Sequence, residues 1–266
     1  MIGASIGDIV GSIYEFNNHR SKNFEFFKDE CFATDDTIMT LSIAKALLEC
    51  KGNYENLGDK ATYYMHKIGR PYPYCGYGGR FYSWMYSDNP RPYGSFGNGS
   101  AMRVSACGIV GNTLEEVKML SKKVTEITHN HPEGIKGAEA TAVAVFLARQ
   151  GKSKEEIKQY IVENYYALDF SIDEIRDTYQ FNEICQDTVP QALECFFESV
   201  SFEDAIRNAI SIGGDSDTIG AIVGGIAEEY YGVPKKMREE ALEYLDQRLL
   251  KIVKEFESVY PPKISD

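Results

Sequence analysis

Several features that would place a chain in a specialised class are absent from this 266-residue sequence. No stretch reaches 18 uninterrupted apolar residues, so the sequence predicts no membrane-spanning helix and no membrane partner. The first residues lack a basic region and include an aspartate, so we expect no signal peptide. The six cysteines form no CxxC pair, which argues against a zinc site, and a chain of this size needs no disulfides. We therefore expect reduced thiols and a cytoplasmic protein.

Positive charge is also scarce. The chain has 28 Lys and Arg residues against 40 Asp and Glu residues, which gives a formal net charge of −12. This balance argues against non-specific binding to a nucleic-acid backbone. It remains compatible with a small phosphorylated ligand that is held by local backbone amides.

Convincing strand patterns are missing as well, whereas apolar residues recur at helical spacing along most of the chain. We therefore predict an all-α fold, a single-domain orthogonal helical bundle over residues 1–266, with a binuclear metal site in a cleft. Predicted helices cover residues 2–16, 54–68, 113–128, 132–149, 153–165, 188–198, 201–211, 216–231 and 234–258. Further helices are predicted after Thr34 and from the glycines near 97 to about 110. Residues 17–33 and 70–96 are predicted to be irregular, residues 166–187 to form short turns, and the C-terminal tail from Tyr260 to be extended and loose.

Glycine recurs every four residues in the first predicted helix, at Gly3, Gly7 and Gly11. Each glycine costs a helix about 1 kcal/mol relative to alanine, so the repeat indicates close approach of another helix or a ligand. Asp8 lies among apolar neighbours and is expected to be paired by hydrogen bonds. Glu15 stands at the predicted end of this helix, where it either faces a metal site or is solvated.

The densest group of polar functional residues is Ser211-Ile-Gly-Gly-Asp-Ser-Asp-Thr-Ile-Gly220. The two glycines permit a sharp turn, and the following residues open a helical apolar pattern. Asp, Ser and Thr are favoured helix caps, but a cap needs only one of them. Asp215 and Asp217 repel each other unless a cation lies between them. The stretch is compatible with either a helix cap or a metal site.

A second stretch, Thr34-Asp-Asp-Thr37, has the same composition and also precedes a helical apolar pattern. If the fold joins the two stretches, four carboxylates converge. Only oxygen ligands are offered, so the expected cation is hard: Mg²⁺, Mn²⁺ or Ca²⁺. Four carboxylates balance two divalent ions better than one, so we expect two ions. We also expect the carboxylates of Asp36 and Asp217 to lie within ~10 Å of each other.

Three loops carry candidate binding residues. Residues 97–100 precede a predicted helix, where free backbone amides bind phosphate, although no Gly-Lys-Ser/Thr of a P-loop follows. His129 and His131 share one loop, but no third nitrogen or sulfur ligand for zinc is in view. His129 therefore either donates a hydrogen bond to a ligand or is an ordinary loop histidine. The aromatic stretch 70–93 is either a packed surface loop or a stacking wall for a planar base.

Together these motifs resemble the ADP-ribosylglycohydrolases, a family that includes the dinitrogenase-reductase-activating glycohydrolase and the ADP-ribosyl-acceptor hydrolases. The matching blocks, in the family's order, are Gly7-Asp-x-x-Gly11 with Glu15, Thr34-Asp-Asp-Thr37, Gly97-Asn-Gly-Ser-Ala-Met-Arg103, Thr128-His-x-x-Pro132 and Gly213-Gly-Asp-Ser-Asp-Thr-Ile-Gly-Ala221. The resemblance implies an all-α fold with two Mg²⁺ ions. It assigns metal binding to Thr34, Asp35, Asp36, Asp215, Asp217, Thr218 and Glu15. It assigns the ADP-ribose cleft to Gly97, Asn98, Gly99, Ser100 and His129.

The activity implied by this resemblance is magnesium-dependent hydrolysis that releases ADP-ribose from a modified acceptor. A carboxylate of Asp35, Asp36 or Glu15 would accept the proton of water or assist the leaving group.

The acceptor is a separate question, because residues 70–96 match no motif of the family. The resemblance favours ADP-ribosylarginine, because bacterial members of the family act on arginine. The residues favour a guanidinium as well: the net negative charge of the protein attracts a cation, the aromatic side chains of 72–93 offer faces for stacking, and Asp88 is a possible ion partner. The alternatives are ADP-ribosylserine, ADP-ribosylated nucleic acid, a non-catalytic ADP-ribose-binding module and a metal-stabilised structural protein.

Overall fold

The computed structural model describes all 266 residues and has the predicted all-α architecture. The helices are α1 (Ile2–Gly11), α2 (Asp35–Cys50), α3 (Leu57–Gly69), α4 (Gly79–Met85), α5 (Ser105–Val110), α6 (Leu114–Thr125), α7 (Pro132–Arg149), α8 (Lys154–Asn164), α9 (Ile172–Ile175), α10 (Cys185–Phe197), α11 (Phe202–Ser211), α12 (Ser216–Tyr231), α13 (Lys235–Glu243) and α14 (Gln247–Val259). One hydrophobic core of 70 buried residues draws side chains from nearly all of these helices. The bundle is therefore a single domain.

The glycine repeat of α1 packs directly against α12, and all ten residues of α1 are buried. A Cβ atom at Gly7 would lie 1.8 Å from the carbonyl oxygen of Gly220, and one at Gly3 would lie 2.4 Å from that of Gly224. The two backbones therefore touch, which confirms that the repeat serves close helix approach. This contact runs antiparallel and places the end of α1 beside the start of α12.

Both acidic stretches begin helices, as predicted. Thr34 has extended backbone angles and its hydroxyl accepts a hydrogen bond from the Asp36 amide, which starts α2. Gly213 and Gly214 have φ angles of 68° and 75°, which disfavour other residues, and they form the turn into α12. The side chain of Asn18 bonds both the N–H and the carbonyl of Gly214, at 2.8 Å each. These contacts fix the direction in which α12 starts.

Some predicted boundaries were wrong. Helix α1 ends at Gly11, so Glu15 lies in the turn that follows rather than on the helix. Residues 70–96 are not wholly irregular, because α4 forms where Phe81, Trp84 and Met85 are buried at helical spacing. The predicted helix 234–258 is two helices, because Asp246 accepts hydrogen bonds from the amides of residues 248 and 249 and starts α14. The stretch from 97 to 110 is also split, into a 3₁₀ turn at Asn98–Ser100 and the helix α5.

The tail is extended as predicted, but it is paired. A two-residue strand β2 (Ile264–Ser265) runs parallel to β1 (Val233–Pro234). All six cysteines are buried and unpaired, as expected for packing thiols. No helix combines the length and the apolar character that a membrane crossing requires.

Candidate active site and metal centre

The two acidic stretches meet at the base of one cleft, although about 180 residues separate them in sequence. The cleft has a volume of about 250 Å³, and its wall includes Glu15, Asp35, Asp36, Asp215, Asp217 and Thr218. Helices α1, α2 and α12 bring these side chains together. The predicted convergence of four carboxylates is therefore observed, with a fifth contributed by the turn after α1.

The carboxylates form two groups that share Asp217. Oxygens of Asp8, Asp36 and Asp217 lie within 4.8 Å of one another, and so do oxygens of Glu15, Asp215 and Asp217. The Asp36 and Asp217 carboxylates are thus well inside the expected separation. Asp36 and Asp217 are only 3% and 4% exposed, so little water reaches them.

Asp8 is paired by hydrogen bonds, as the sequence predicted. Its carboxylate accepts from the amides of Thr34 and Thr37, at 3.0 Å each, and from the Thr34 hydroxyl at 2.6 Å. Thr34 lies behind the cleft wall, with its hydroxyl directed at Asp8 and 3.5 Å from Asp36. Asp8 therefore anchors the start of α2 to α1. It also supplies an oxygen to one of the two carboxylate groups, a part that the sequence did not indicate.

Burial and mutual repulsion raise the pKa of these acids. Burial, and then the neighbouring Asp217, raise the pKa of Asp8 to about 7. The same causes, with Glu183 added, raise the pKa of Glu15 to about 8. The pKa values of Asp35, Asp36 and Asp215 are also raised well above their usual range, by burial first and by Asp217 second. A cation at this point would offset both causes.

The donor set fits a hard divalent metal ion. Carboxylate oxygens are the only ligand atoms in the two groups, and no His or Cys side chain belongs to either. Asp36 Oδ1 is buried and has no hydrogen-bond partner, which leaves this oxygen free to bind an ion. Its Oδ2 accepts a bond of 3.3 Å from the Thr218 hydroxyl. These acidic groups can therefore bind metal.

The glycine loop differs from the expectation of open backbone amides. Three of its four N–H groups have partners within the protein: Gly97 bonds the Ser95 hydroxyl, Asn98 the carbonyl of residue 183, and Ser100 the carbonyl of Gly97. The N–H of Gly99 remains. The other three N–H groups form hydrogen bonds within the loop or with the segment before α10, so most of this loop is unavailable to a diphosphate.

The predicted loop side chains also divide into two sets. Asn98 lines the cleft, but its amide donates to Asp215 at 2.7 Å and thereby holds that carboxylate. Ser100 is fully buried, and its hydroxyl donates to the carbonyl of Gly134 at 2.9 Å, so its side chain does not face the cleft. Gly97 and Gly99 remain on the cleft wall.

His129 is a neutral, directed side chain of the cleft wall. Burial, and then the charges of Arg103 and Arg80, hold its pKa well below the usual range. Arg103 Nη2 donates to the Thr128 hydroxyl at 2.8 Å, and that hydroxyl lies 2.7 Å from His129 Nδ1. A hydroxyl that accepts from arginine donates its own proton most readily to Nδ1. The imidazole proton is then on Nε2, the nitrogen nearer to Gly99.

Sequence reasoning missed several residues of the cleft. Glu183, Arg80 and Arg103 all line it, and no local motif marks the first two. Tyr93 and Phe81 are the tyrosine and phenylalanine of the aromatic stretch that reach the cleft wall. Asp88, which was predicted to meet a guanidinium, is exposed and lies outside the wall. Its place as an acid near the cleft mouth is taken by Glu183, which is brought there by the segment before α10.

Asn18 is a further residue that the sequence did not single out. Besides its two bonds to Gly214, its side-chain amide donates to the carbonyls of Tyr14 and Glu15, at 2.9 Å each. This one side chain therefore ties the turn that carries Glu15 to the turn that starts α12. A lone asparagine in a polar loop gives no signal of such a role.

This chain is similar to known proteins in sequence and in fold. A family model described as ADP-ribosylglycohydrolase matches residues 1–263. The chain is similar to ADP-ribosylhydrolase ARH3 of Homo sapiens, with 25% identity over 94% of this chain and 90% of that protein. It is also similar to ADP-ribosylarginine hydrolase Tri1 of Pseudomonas putida, with 26% identity over 88% of this chain and 70% of that protein. A solved structure, the "ADP-ribosylglycohydrolase-related protein complex", shares the fold with a TM-score of 0.68 and 21% identity, over 96% of this chain and 95% of that chain.

Proposed function

This chain belongs to the ADP-ribosylglycohydrolase family of hydrolytic enzymes, and we propose that it removes ADP-ribose from ADP-ribosylarginine on an acceptor protein with the help of two Mg²⁺ ions. The observation that carries the proposal is the pair of carboxylate groups joined at Asp217. Both groups face a cleft whose other walls carry a neutral histidine, two arginines and a tyrosine.

The metal part of the proposal rests on the two oxygen-rich groups. Asp8, Asp36 and Asp217 would hold one ion, and Glu15, Asp215 and Asp217 the other, with Asp35, Thr34 and Thr218 close by. Mg²⁺ is the preferred ion and Mn²⁺ is the alternative, because both favour oxygen ligands. When bound, such ions polarise oxygen atoms and compensate negative charge at the reacting centre.

Among the three candidate acid–base residues, Glu15 and Asp35 are better placed than Asp36. Both are only partly buried and line the cleft. One oxygen of Asp36 is instead held by the Thr218 hydroxyl, and the other is enclosed. Either Glu15 or Asp35 would take the proton from the attacking water or assist the departing nitrogen. Cleavage of a glycosidic bond develops positive charge on the ribose ring, and nearby carboxylates stabilise this charge.

The cationic wall of the cleft suits the diphosphate of ADP-ribose. Arg103 is only 1% exposed and forms no ion pair, and its Nε has no partner. Arg80 is exposed at the same wall. Arg80, Arg103, the Gly99 amide and the Nε2–H of His129 together supply the donors that the glycine loop alone lacks. The Arg80 guanidinium stacks on one face of the Tyr93 ring, and the opposite face would be the one for adenine.

Two acids support arginine as the acceptor residue. Glu183 and Glu15 both line the cleft, and repulsion from Glu183 contributes to the raised pKa of Glu15. A guanidinium leaving group would find two carboxylates there, whereas a serine hydroxyl needs neither. The similar protein from Pseudomonas putida is named an ADP-ribosylarginine hydrolase.

We also propose a reducing, cytoplasmic setting for this protein, which its six buried, unpaired cysteines support.

The test is a panel of defined linkages: ADP-ribosylarginine, ADP-ribosylserine peptides and ADP-ribosylated DNA, each incubated with the protein and Mg²⁺ while free ADP-ribose is measured. We expect the highest kcat/KM on the arginine linkage. Chelation with EDTA should abolish turnover, and excess Mg²⁺ should restore it.

Other results would change specific parts of the proposal. A clear preference for serine or for DNA would overturn arginine as the acceptor and leave the metal site intact. Binding of ADP-ribose without turnover of any linkage would indicate a binding module. Full activity after exhaustive chelation would contradict the metal requirement.

A further inference from the structure

Charge is unevenly distributed along this chain. Residues 60–114 contain six Lys or Arg residues and a single acid, Asp88, which gives this segment a charge of +5. The remainder of the chain therefore carries −17. The segment forms most of α3, then α4, α5 and the loops between them, and its residues between Gly76 and Arg103 line one side of the cleft.

Four cations of this segment are exposed and form no ion pair. They are Lys67, Arg70, Arg80 and Arg91. Acids are abundant elsewhere on the surface and pair with many other Lys and Arg side chains. Unpaired cations grouped on one face of an acidic protein indicate a binding surface for an anion.

The first half of this surface adjoins the cleft. Arg80 and Tyr93 belong to the cleft wall and also line a second hollow of about 360 Å³, which contains Arg91 and Trp84. The Arg80 guanidinium stacks on the Tyr93 ring at 4.8 Å. No Asp or Glu residue lines the second hollow.

The second half continues outward along α3. Arg70 donates to the carbonyls of Met85 at 2.8 Å and Ser87 at 3.3 Å, and Ser87 lines the second hollow. Arg70 and Lys67 line a third hollow of about 620 Å³, which again has no acidic residue. We call the line of Arg80, Arg91, Arg70 and Lys67 the cationic track. It leads from the cleft mouth over the protein surface.

We propose that the cationic track binds a short acidic segment of the acceptor protein, next in sequence to the residue that carries ADP-ribose. This inference rests on the proposed function, which places the modified residue at the cleft mouth. Arginine forks recognise carboxylates in a bidentate manner, and several weak surface pairs in a row make recognition cumulative. A long polyanion such as nucleic acid would extend past four cations onto the rest of the protein, which is acidic and carries a formal charge of −17, so a short segment fits better.

A binding experiment tests the track separately from catalysis. The probe is a fluorescein-labelled 12-residue peptide rich in Asp and Glu, without ADP-ribose, and its binding is measured by fluorescence anisotropy. A neutral peptide and a single-stranded oligodeoxynucleotide of equal charge serve as competitors. The variants Arg91→Glu and Lys67→Glu change side chains that make no hydrogen bond. Lys254→Glu, on the exposed side of α14, is the control with the same change in net charge.

We expect Arg91→Glu and Lys67→Glu each to weaken binding of the acidic peptide about tenfold and Lys254→Glu to leave it unchanged. In turnover assays, ADP-ribosylarginine peptides with acidic flanks should have a lower KM than those with neutral flanks, and Arg91→Glu should remove the difference. Free ADP-ribosylarginine should react equally with the original protein and with Arg91→Glu.

The inference is overturned if the acidic peptide binds no better than the neutral one, or if Lys254→Glu weakens binding as much as Arg91→Glu. Tighter, Arg91-dependent binding of the oligodeoxynucleotide would replace the peptide by nucleic acid and overturn it too. Peptide binding that depends on Arg91, combined with no turnover of arginine linkages, would support the track and contradict only the proposed function.

Discussion

The acidic base of the cleft and the cationic track beside it hold charge in opposite ways. At the base, Asp8, Asp36, Asp215 and Asp217 are almost fully buried, and their oxygens crowd together. On the track, arginine and lysine side chains are exposed and have no acidic partner. The base fits a small cation, because its buried oxygens lie within 4.8 Å of one another in each group. Exposure leaves the track open to an extended anion.

The difference also shows in what supports each region. Hydrogen bonds donated by the backbone of α2 and by the side-chain amides of Asn98 and Asn18 position the acids or the turns that carry them. The track relies on surface side chains of α3, α4 and the loops that follow them, and two of these side chains, Lys67 and Arg91, make no hydrogen bond. Substitutions at the base should therefore abolish function, whereas substitutions on the track should only adjust it.

The largest effect is expected from Asp217→Asn, because Asp217 belongs to both carboxylate groups. A neutral amide is a poorer ligand and does not offset the charge of a metal ion. We expect kcat/KM to fall at least ~10³-fold and Mg²⁺ binding, measured by calorimetry, to be lost, a scale typical of removing one central catalytic group. Asp59→Asn, at an exposed position of α3, is the matched control. A folded Asp217→Asn protein with normal Mg²⁺ affinity would disprove the metal assignment.

The second prediction concerns the helix contact that assembles the acidic base. A Cβ at Gly7 would lie 1.8 Å from the backbone oxygen of Gly220, so Gly7→Ala forces α1 and α12 apart. We expect the free energy of unfolding to fall by ~2 kcal/mol or more, in the range of overpacked cores, as measured by urea denaturation.

Gly78→Ala is the control for this prediction, since an added Cβ there meets no atom within 4 Å and the φ angle is −57°. It should be neutral or slightly stabilising. Equal stability of Gly7→Ala and Gly78→Ala would mean that the contact of α1 with α12 does not limit the fold.

The smallest effect is expected where the two regions meet, at His129. Thr128→Val removes the hydroxyl that links Arg103 to His129 Nδ1. We expect the His129 proton to lose its preference for Nε2 and KM to rise about fivefold with kcat nearly unchanged, because one hydrogen bond is worth ~1 kcal/mol. Nitrogen chemical shifts of the imidazole report the tautomer directly. Thr128→Ser keeps the hydroxyl and should keep the proton on Nε2. An unchanged tautomer in Thr128→Val would refute the role of the Thr128 hydroxyl in setting the tautomer of His129.

The sequence alone determined the helical architecture and the chemistry of the acidic base. Apolar periodicity and cap residues identified most helices, since both act within a few residues of chain. Four acids stood out because neighbouring carboxylates are unfavourable without a cation: Asp35, Asp36, Asp215 and Asp217. Thr34 stood out as the hydroxyl residue that precedes the first pair. The glycines of α1 also indicated close approach of another helix or a ligand.

Only the tertiary structure decided which residues complete the cleft. Glu183, Arg80 and Asn18 carry no local signal, and each acquires its place through contacts with residues far along the chain. Asp88 shows the converse, since the aromatic residues around it suggested a site residue, but its loop places it outside the cleft wall. Most backbone amides of the glycine loop are not free to bind a ligand, because the folded loop uses them in hydrogen bonds within the protein. Local sequence governs how a segment starts and turns, whereas the packing of α1 on α12 governs which distant side chains share one cleft.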